Sequence, residues 1–206
     1  MPEHPALHDL PEPRLAGAHP LERLLAQRRC VRSFANAALS LAELGQLLWA
    51  AQGITDPEGL RTAPSAGALY PLELYSVVGA VDGLEAGIYR YRPEGHQLKQ
   101  TAAGDRRGPL ARAALGQSWL GDAAVVIALA AVLERTSRKY GRRAERYVPM
   151  EVGHAGQNLF LQAEALDLAA AVVGAFDDGE VATVLGLPAG AQPLSLMPVG
   201  KKRQRP

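Results

Sequence analysis

The longest apolar run in the chain is AAVVIALAAVL, from Ala123 to Leu133. It falls short of the roughly 20 residues that a helix needs to cross a bilayer. It reads instead as a buried strand leading into a helix. A chain of 206 residues can bury one good-sized core, or at most two small ones. With 48% hydrophobic and 21% charged residues the composition is that of a globular protein. A net charge of +1 gives no electrostatic case for nucleic acid or a membrane surface as partner. The single cysteine, Cys30, excludes a disulfide framework and fits a reducing, cytoplasmic setting.

The opening MPEHPALHDLPEPRLAGAHP lacks the basic start and apolar centre of a signal peptide, and residues 1–18 read as a loose arm. PLERLLAQRRC predicts a short helix with Leu21, Leu24 and Leu25 on one face. ALSLAELGQLLWAAQG predicts a second, capped by Ser40 with Glu43 three residues on and stopped at Gly53. LELYSVVGAV is a strand, and GIYRYRPEGHQLKQTA is a hairpin turning at RPEGH. DRRGPLARAALG is a helix, and the long apolar strand is followed by the basic stretch LERTSRKYGRRAERY. VPMEVGHAGQNLFLQAEALDL predicts the central helix, with Pro149 in its first turn and Glu151 favourable to its dipole. LAAAVVGAFDD is a third buried strand, GEVATVLGLP a short helix and QPLSLMPVG a final strand. The elements lack a βαβ rhythm, so the fold class is α+β, with helices packed on a mixed sheet.

Several stretches could carry chemistry. RRCVRSF places Arg28, Arg29 and Arg32 together, where guanidinium forks could grip a phosphate or form a solvated basic patch. Cys30 has no identifiable base within reach and reads as a packed or weakly hydrogen-bonding thiol. RTAPSAGALYPLE, from Arg61 to Glu73, is too rich in proline and small residues for a helix. It is also too apolar for an ordinary wet loop, which suggests that it covers a flat cofactor ring or a partner subunit. Gly153 and Gly156 start the central helix at a cost of about 1 kcal/mol each, which calls for close packing or a flat ligand. His154 forms no metal-like spacing with the other histidines. Lys139 and Tyr140 are usable proton carriers or simply a basic helix end. GKKRQRP reads as a solvated tail, unless Lys201 or Arg203 folds back onto a phosphate site.

In order and spacing these pieces resemble the FMN-dependent nitroreductase-like oxidoreductases. More narrowly they resemble the SagB-type dehydrogenase branch, which includes the azoline oxidases of thiazole/oxazole-modified peptide pathways. The resemblance runs from about Leu21 to Gly200 and rests on RRCVRSF, LSLAELGQLLWAAQGIT, RTAPSAGALYPLELY, GIYRY, KYGRRAERYVPMEVGHAGQNLFLQA and PVG.

The resemblance implies a nitroreductase-like fold over residues 19–206, an intertwined homodimer with two FMN molecules at the subunit interface. It implies that Arg28, Arg29 and Arg32 hold the FMN phosphate and pyrimidine side, with Cys30 where the family commonly has serine. Pro64, Ser65, Ala66 and Gly67 would lie against the flavin held mainly by the partner. The segment Glu151, Val152 and Gly153 would approach the flavin N5 edge, and Lys201 and Arg203 would add phosphate contacts. Lys139 and Tyr140 match the Lys-Tyr pair implicated in proton handling during azoline oxidation. The implied activity passes a hydride through flavin N5. Its source is NAD(P)H if the chain acts as a nitroreductase, or a small-molecule or peptide azoline if it acts as a dehydrogenase. The other reading is a flavin-binding subunit of an azole-forming complex with little activity of its own.

Overall fold

The computed structural model describes residues 7–203. The strands are β1 (Leu7–Asp9), β2 (Phe34–Ala35), β3 (Leu72–Val78), β4 (Gly87–Arg92), β5 (Gln97–Ala103), β6 (Val125–Val132), β7 (Leu168–Ala170) and β8 (Ala191–Lys202). The helices are α1 (Leu21–Gln27), α2 (Leu41–Gln52), α3 (Arg107–Ala113), α4 (Leu133–Tyr140), α5 (Ala144–Ala165) and α6 (Asp178–Leu185). One sheet runs in the order β1-β5-β4-β3-β6-β8-β2, with β7 also paired to β8. Every strand pair is antiparallel, and the one parallel pairing among the described residues is the isolated bridge from Leu39 to Val81. The chain is thus an α+β fold with a mostly antiparallel sheet flanked by helices, as the sequence predicts.

The apolar run becomes β6, the strand between β3 and β8. Alternate side chains face opposite sides of a strand, so a strand covered on both faces must be apolar throughout. Ile127, Leu129 and Ala131 pack in the layer of α2 and α5, with Leu44, Leu47, Leu48 and Leu159. Val126, Ala128 and Ala130 pack in the layer of α3 and α6, with Leu110, Val181 and Leu185. Among the described residues no helix is long and apolar enough to cross a membrane.

Three expectations are corrected. Part of the loose arm is tied down: β1 pairs with β5, Leu10 is buried, and the Leu10 N–H donates to the His96 carbonyl at 3.0 Å. The central helix begins at Ala144, so Pro149 lies inside it rather than in its first turn. Burial of Ala144 and Val148, one turn apart on one face, outweighs the loss of one bond near the helix start. The third buried strand shrinks to Leu168–Ala170, after which the Ala171 N–H still donates to the Pro198 carbonyl and Val173 forms an isolated bridge to Leu196. The capping box on α2 forms as expected, with the Glu43 N–H donating to Ser40 Oγ and the Ser40 N–H to Glu43 Oε2.

Candidate functional site

The connection from α2 to β3 is the apolar loop, and it is fastened at both ends. The Thr62 N–H donates to the Gly53 carbonyl at 2.9 Å, and Asn158 Nδ2 on α5 reaches the carbonyls of Ala50 and Thr62. At the far end the Arg61 guanidinium lies 4.5 Å over the Tyr70 ring, and Tyr70 Oη accepts from the Arg61 N–H. Between these ties Gly67, Ala68 and Tyr70 all have positive φ. For the two non-glycine residues this conformation costs of order 1–3 kcal/mol each, a strain that tends to collect at ligand sites.

The strained segment sits against α4 and α5. The Ala66 N–H donates to Glu151 Oε1 at 3.0 Å, and Ser65 Oγ accepts from the Tyr70 N–H. A Cβ placed on Gly67 would come within 2.8 Å of Tyr140 Oη and 3.0 Å of Lys139 Nζ. Lys139 Nζ lies 5.4 Å from the Tyr140 ring centre, and that ring meets Tyr147 edge-on at 5.3 Å. The loop residues Ser65, Ala66 and Gly67 are therefore brought together with Lys139, Tyr140 and Glu151. Pro64 stands exposed beside them.

Glu151 departs from its expected role. With α5 starting at Ala144 it lies two turns into the helix and is 4% exposed, so it anchors the loop rather than serving the dipole. Burial pushes its carboxyl above the ordinary carboxylate range, opposed by the Ala66 N–H and the Ser65 hydroxyl. The native chain then holds a proton that the unfolded chain has released. Stability is full below the ordinary carboxylate range and falls as pH rises through the raised value. Glu151→Gln keeps an acceptor for the Ala66 N–H and cannot ionise. Its melting temperature should fall less than the wild type's between about pH 4 and pH 7. Parallel profiles by circular dichroism would remove Glu151 as the source of the slope.

The basic residues gather elsewhere. β2 pairs Phe34 with Lys202 and Ala35 with Lys201, so RRCVRSF and the end of β8 share one sheet edge. The Arg28 guanidinium lies 5.0 Å from the Phe160 ring centre and that of Arg32 5.8 Å from Trp119. Arg29 bonds the carbonyls of Ala26 and Arg28. Cys30 is exposed, not packed. Lys201 is a strand residue rather than part of a loose tail, and its Nζ lies 2.5 Å from Glu43 Oε1. Arg203 is exposed just past the strand.

The two groups meet α5 on different sides. At about 100° per residue, Glu151 and Gly153 point roughly 200° apart, while Gly153 and Phe160 fall nearly in line. The loop holds the Glu151 side, and Arg28 covers the Phe160 side. Val152 is half-buried against the core. A Cβ on Gly156 would touch Met197 Sδ at 3.5 Å, whereas one on Gly153 would meet nothing within 4 Å. A Cβ would thus be tolerated at both positions, at 156 in ordinary contact with Met197 and at 153 in open space.

One cluster was missed from the sequence. Glu73, 7% exposed, is bonded by Arg90 on β4 and Arg135 on α4, beside Arg61. The alternation of Arg90 and Arg92 in GIYRYR places two cations on one face of a strand and was the available signal. Glu73 and Arg135 are too distant in sequence to give one.

Against this geometry the comparisons are consistent. The chain is 47% identical over 182 residues to "Putative nitroreductase MJ1384" of Methanocaldococcus jannaschii, spanning 88% of this chain and 91% of that protein. A crystal structure of a protein of the same description from Anabaena variabilis superposes with TM-score 0.79 at 34% identity. That match covers 89% of this chain but only 38% of that longer one. The microcin B17-processing protein McbC of Escherichia coli is 29% identical over 155 residues, spanning 72% of this chain and 57% of McbC. The E. coli microcin synthetase McbBCD complex, solved with truncated pro-MccB17 bound, matches in fold with TM-score 0.74, 24% identity and coverage of 93% of this chain and 85% of that one. The nitroreductase family model matches residues 25–201, so the chain belongs to the nitroreductase family.

Proposed function

We propose that this nitroreductase-family oxidoreductase is FMN-dependent and acts as a SagB-type azoline dehydrogenase. We further propose that it works as a homodimer with the cofactor between subunits. The observation that carries the reading is the meeting of Gly67 with Lys139 and Tyr140 at the strained loop. Two proton carriers stand there in close contact with the small residues of the loop. The residues present fit the cofactor. Exposed Arg29 and Arg32 with Arg203 would take its phosphate, and the open space beside Gly153 would admit a ring system. Lys201, held by Glu43, would act as a paired charge rather than a free one. Because the loop and Gly153 occupy opposite sides of α5, one subunit would supply the arginines and Gly153. Its partner would then supply Pro64 to Gly67.

When bound, FMN supplies the acceptor for a hydride, which it later passes to a second substrate or to oxygen. The protein's own part is placement and proton handling. Lys139 or Tyr140 removes the ring proton of the azoline as the substrate is oxidised. The loop, with Ala66 fastened to Glu151, would hold that face in place.

A second reading follows from McbC. The chain spans just over half of that protein, whose name places it in peptide processing. On this reading the chain is a flavin-binding subunit of an azole-forming complex with little independent activity. A visible spectrum of the purified protein, followed by anaerobic NADPH addition, separates these cases. Flavin bands that bleach with an azoline peptide support the dehydrogenase, whether or not NADPH also bleaches them. Bands that bleach with NADPH but not with the peptide turn the reading to a nitroreductase, and bands that bleach with neither favour the silent subunit. A colourless preparation that takes up no added FMN overturns the flavin reading altogether.

A further inference from the structure

The cation cluster around Glu73 lies in a gap in the sheet. β3 and β4 pair from Val78–Gly87 only as far as Tyr75–Arg90. In that register Leu74, Glu73 and Leu72 would next face Tyr91, Arg92 and Pro93, but the strands part there. The opening is a wedge-shaped cleft of about 590 Å³ lined by those same residues. Cavities of a few hundred Å³ are the size that takes a small-molecule ligand.

The walls are cationic. Arg61, Arg90, Arg92, Lys99 and Arg135 line the cleft against Glu73 and Glu94, an excess of three positive charges in a chain whose net charge is +1. Glu73 is already engaged by Arg90 and Arg135. Among the described residues the side chains of Arg92 and Lys99 have no hydrogen-bond or ion-pair partner. The Arg61 side chain is 12% exposed; among the described residues its one carboxylate partner is Glu94 at 3.6 Å, and the Tyr70 ring lies against the guanidinium. Its Nη1 donates to Gln52, and its Nε is buried with no acceptor. Burial pulls the Arg61 pKa down, against the pull of Glu94. A buried, under-satisfied guanidinium costs free energy that an incoming anion would recover.

We propose that the wedge between the parted ends of β3 and β4 is an oxyanion-binding site for a small molecule carrying at least two carboxylate or phosphate groups. The cations stand on both walls, with Arg92 and Lys99 on the β4–β5 hairpin and Arg61 and Arg135 on the loop and α4. That arrangement suits two separated anionic groups better than one. The site adjoins the strained loop, because Arg61 begins that loop and Arg135 Nη1 donates to the Tyr70 carbonyl. Arg135 also lies one helical turn before Lys139. An anion seated there would therefore be next to the loop, and its binding does not depend on flavin.

Calorimetric titration of the purified full chain with pyrophosphate and, separately, with citrate at low ionic strength tests this. At least one of the two should bind. The Arg92→Ala/Lys99→Ala variant should bind it about tenfold or more weakly with an unchanged melting temperature, since those side chains hold nothing else in place. A preference for pyrophosphate would identify phosphate as the group recognised, and a preference for citrate would identify carboxylate. The Arg23→Ala/Arg146→Ala variant removes equal charge from exposed helix positions and should bind as the wild type does. The proposal is overturned if neither anion binds, or if the two double variants lose affinity equally. Flavin retention, read from the visible spectrum of the same samples, reports separately on the functional reading.

Discussion

Leu129→Ala should destabilise the chain by about 2–5 kcal/mol, the range for removing a large aliphatic side chain from a close-packed core. Leu129 is fully buried and lies opposite Leu74 on β3 and Ser195 on β8. Its side chain fills the layer between the sheet and α2 and α5. The pairing of β6 with β8 shifts register between Leu129 and Ala130, so the backbone there is already committed to an irregular geometry. A cavity at that point has little freedom to collapse. For a chain of this size the loss corresponds to a fall in melting temperature of roughly 4–20 °C. Leu129→Met, which nearly conserves volume, should cost less than about 1.5 kcal/mol. Thermal and denaturant unfolding of the two variants measure this. A loss below about 1 kcal/mol for the alanine variant would mean that this layer is looser than its burial indicates.

The contrast between β6 and the elements around it shows what the sequence could reveal. β6 and α2 were legible because each carries its signal locally: one unbroken apolar run, and one capping box with a terminal glycine. The start of α5 was not, because Pro149 is a strong local cue overruled by the burial of Ala144 and Val148. β1 was hidden for the same reason. Its three residues have no strand pattern of their own and are ordered by pairing with β5. In the candidate site, the apolar loop announced that it covers something. Its contact with Lys139, Tyr140 and Glu151 depends on a chain reversal through β3, β4, β5 and β6 that no local pattern encodes. The wedge was least legible of all. A place where two strands stop pairing leaves no mark in composition, and only the spacing of Arg90 and Arg92 hinted at a charged face.

Lys139→Ala should abolish azoline oxidation while leaving NAD(P)H-driven reduction within about threefold of the wild type. A positioned proton carrier contributes about 10²–10⁴ in rate, so the dehydrogenase rate should fall by that factor. Hydride transfer from NAD(P)H removes no proton from a substrate carbon and makes no such demand on the residue. Lys139 is exposed at the end of α4, so its loss leaves no buried gap. The Tyr140 ring keeps its edge-on contact with Tyr147, which preserves the surrounding geometry. Tyr140→Phe provides the matched comparison, since it retains that ring and removes only the hydroxyl facing Gly67. If Lys139 is the base, the phenylalanine variant should lose far less than the alanine variant. If Tyr140 is the base, the order reverses. Equal loss of both reactions in Lys139→Ala, measured against flavin content, would show that the residue supports cofactor binding rather than proton transfer.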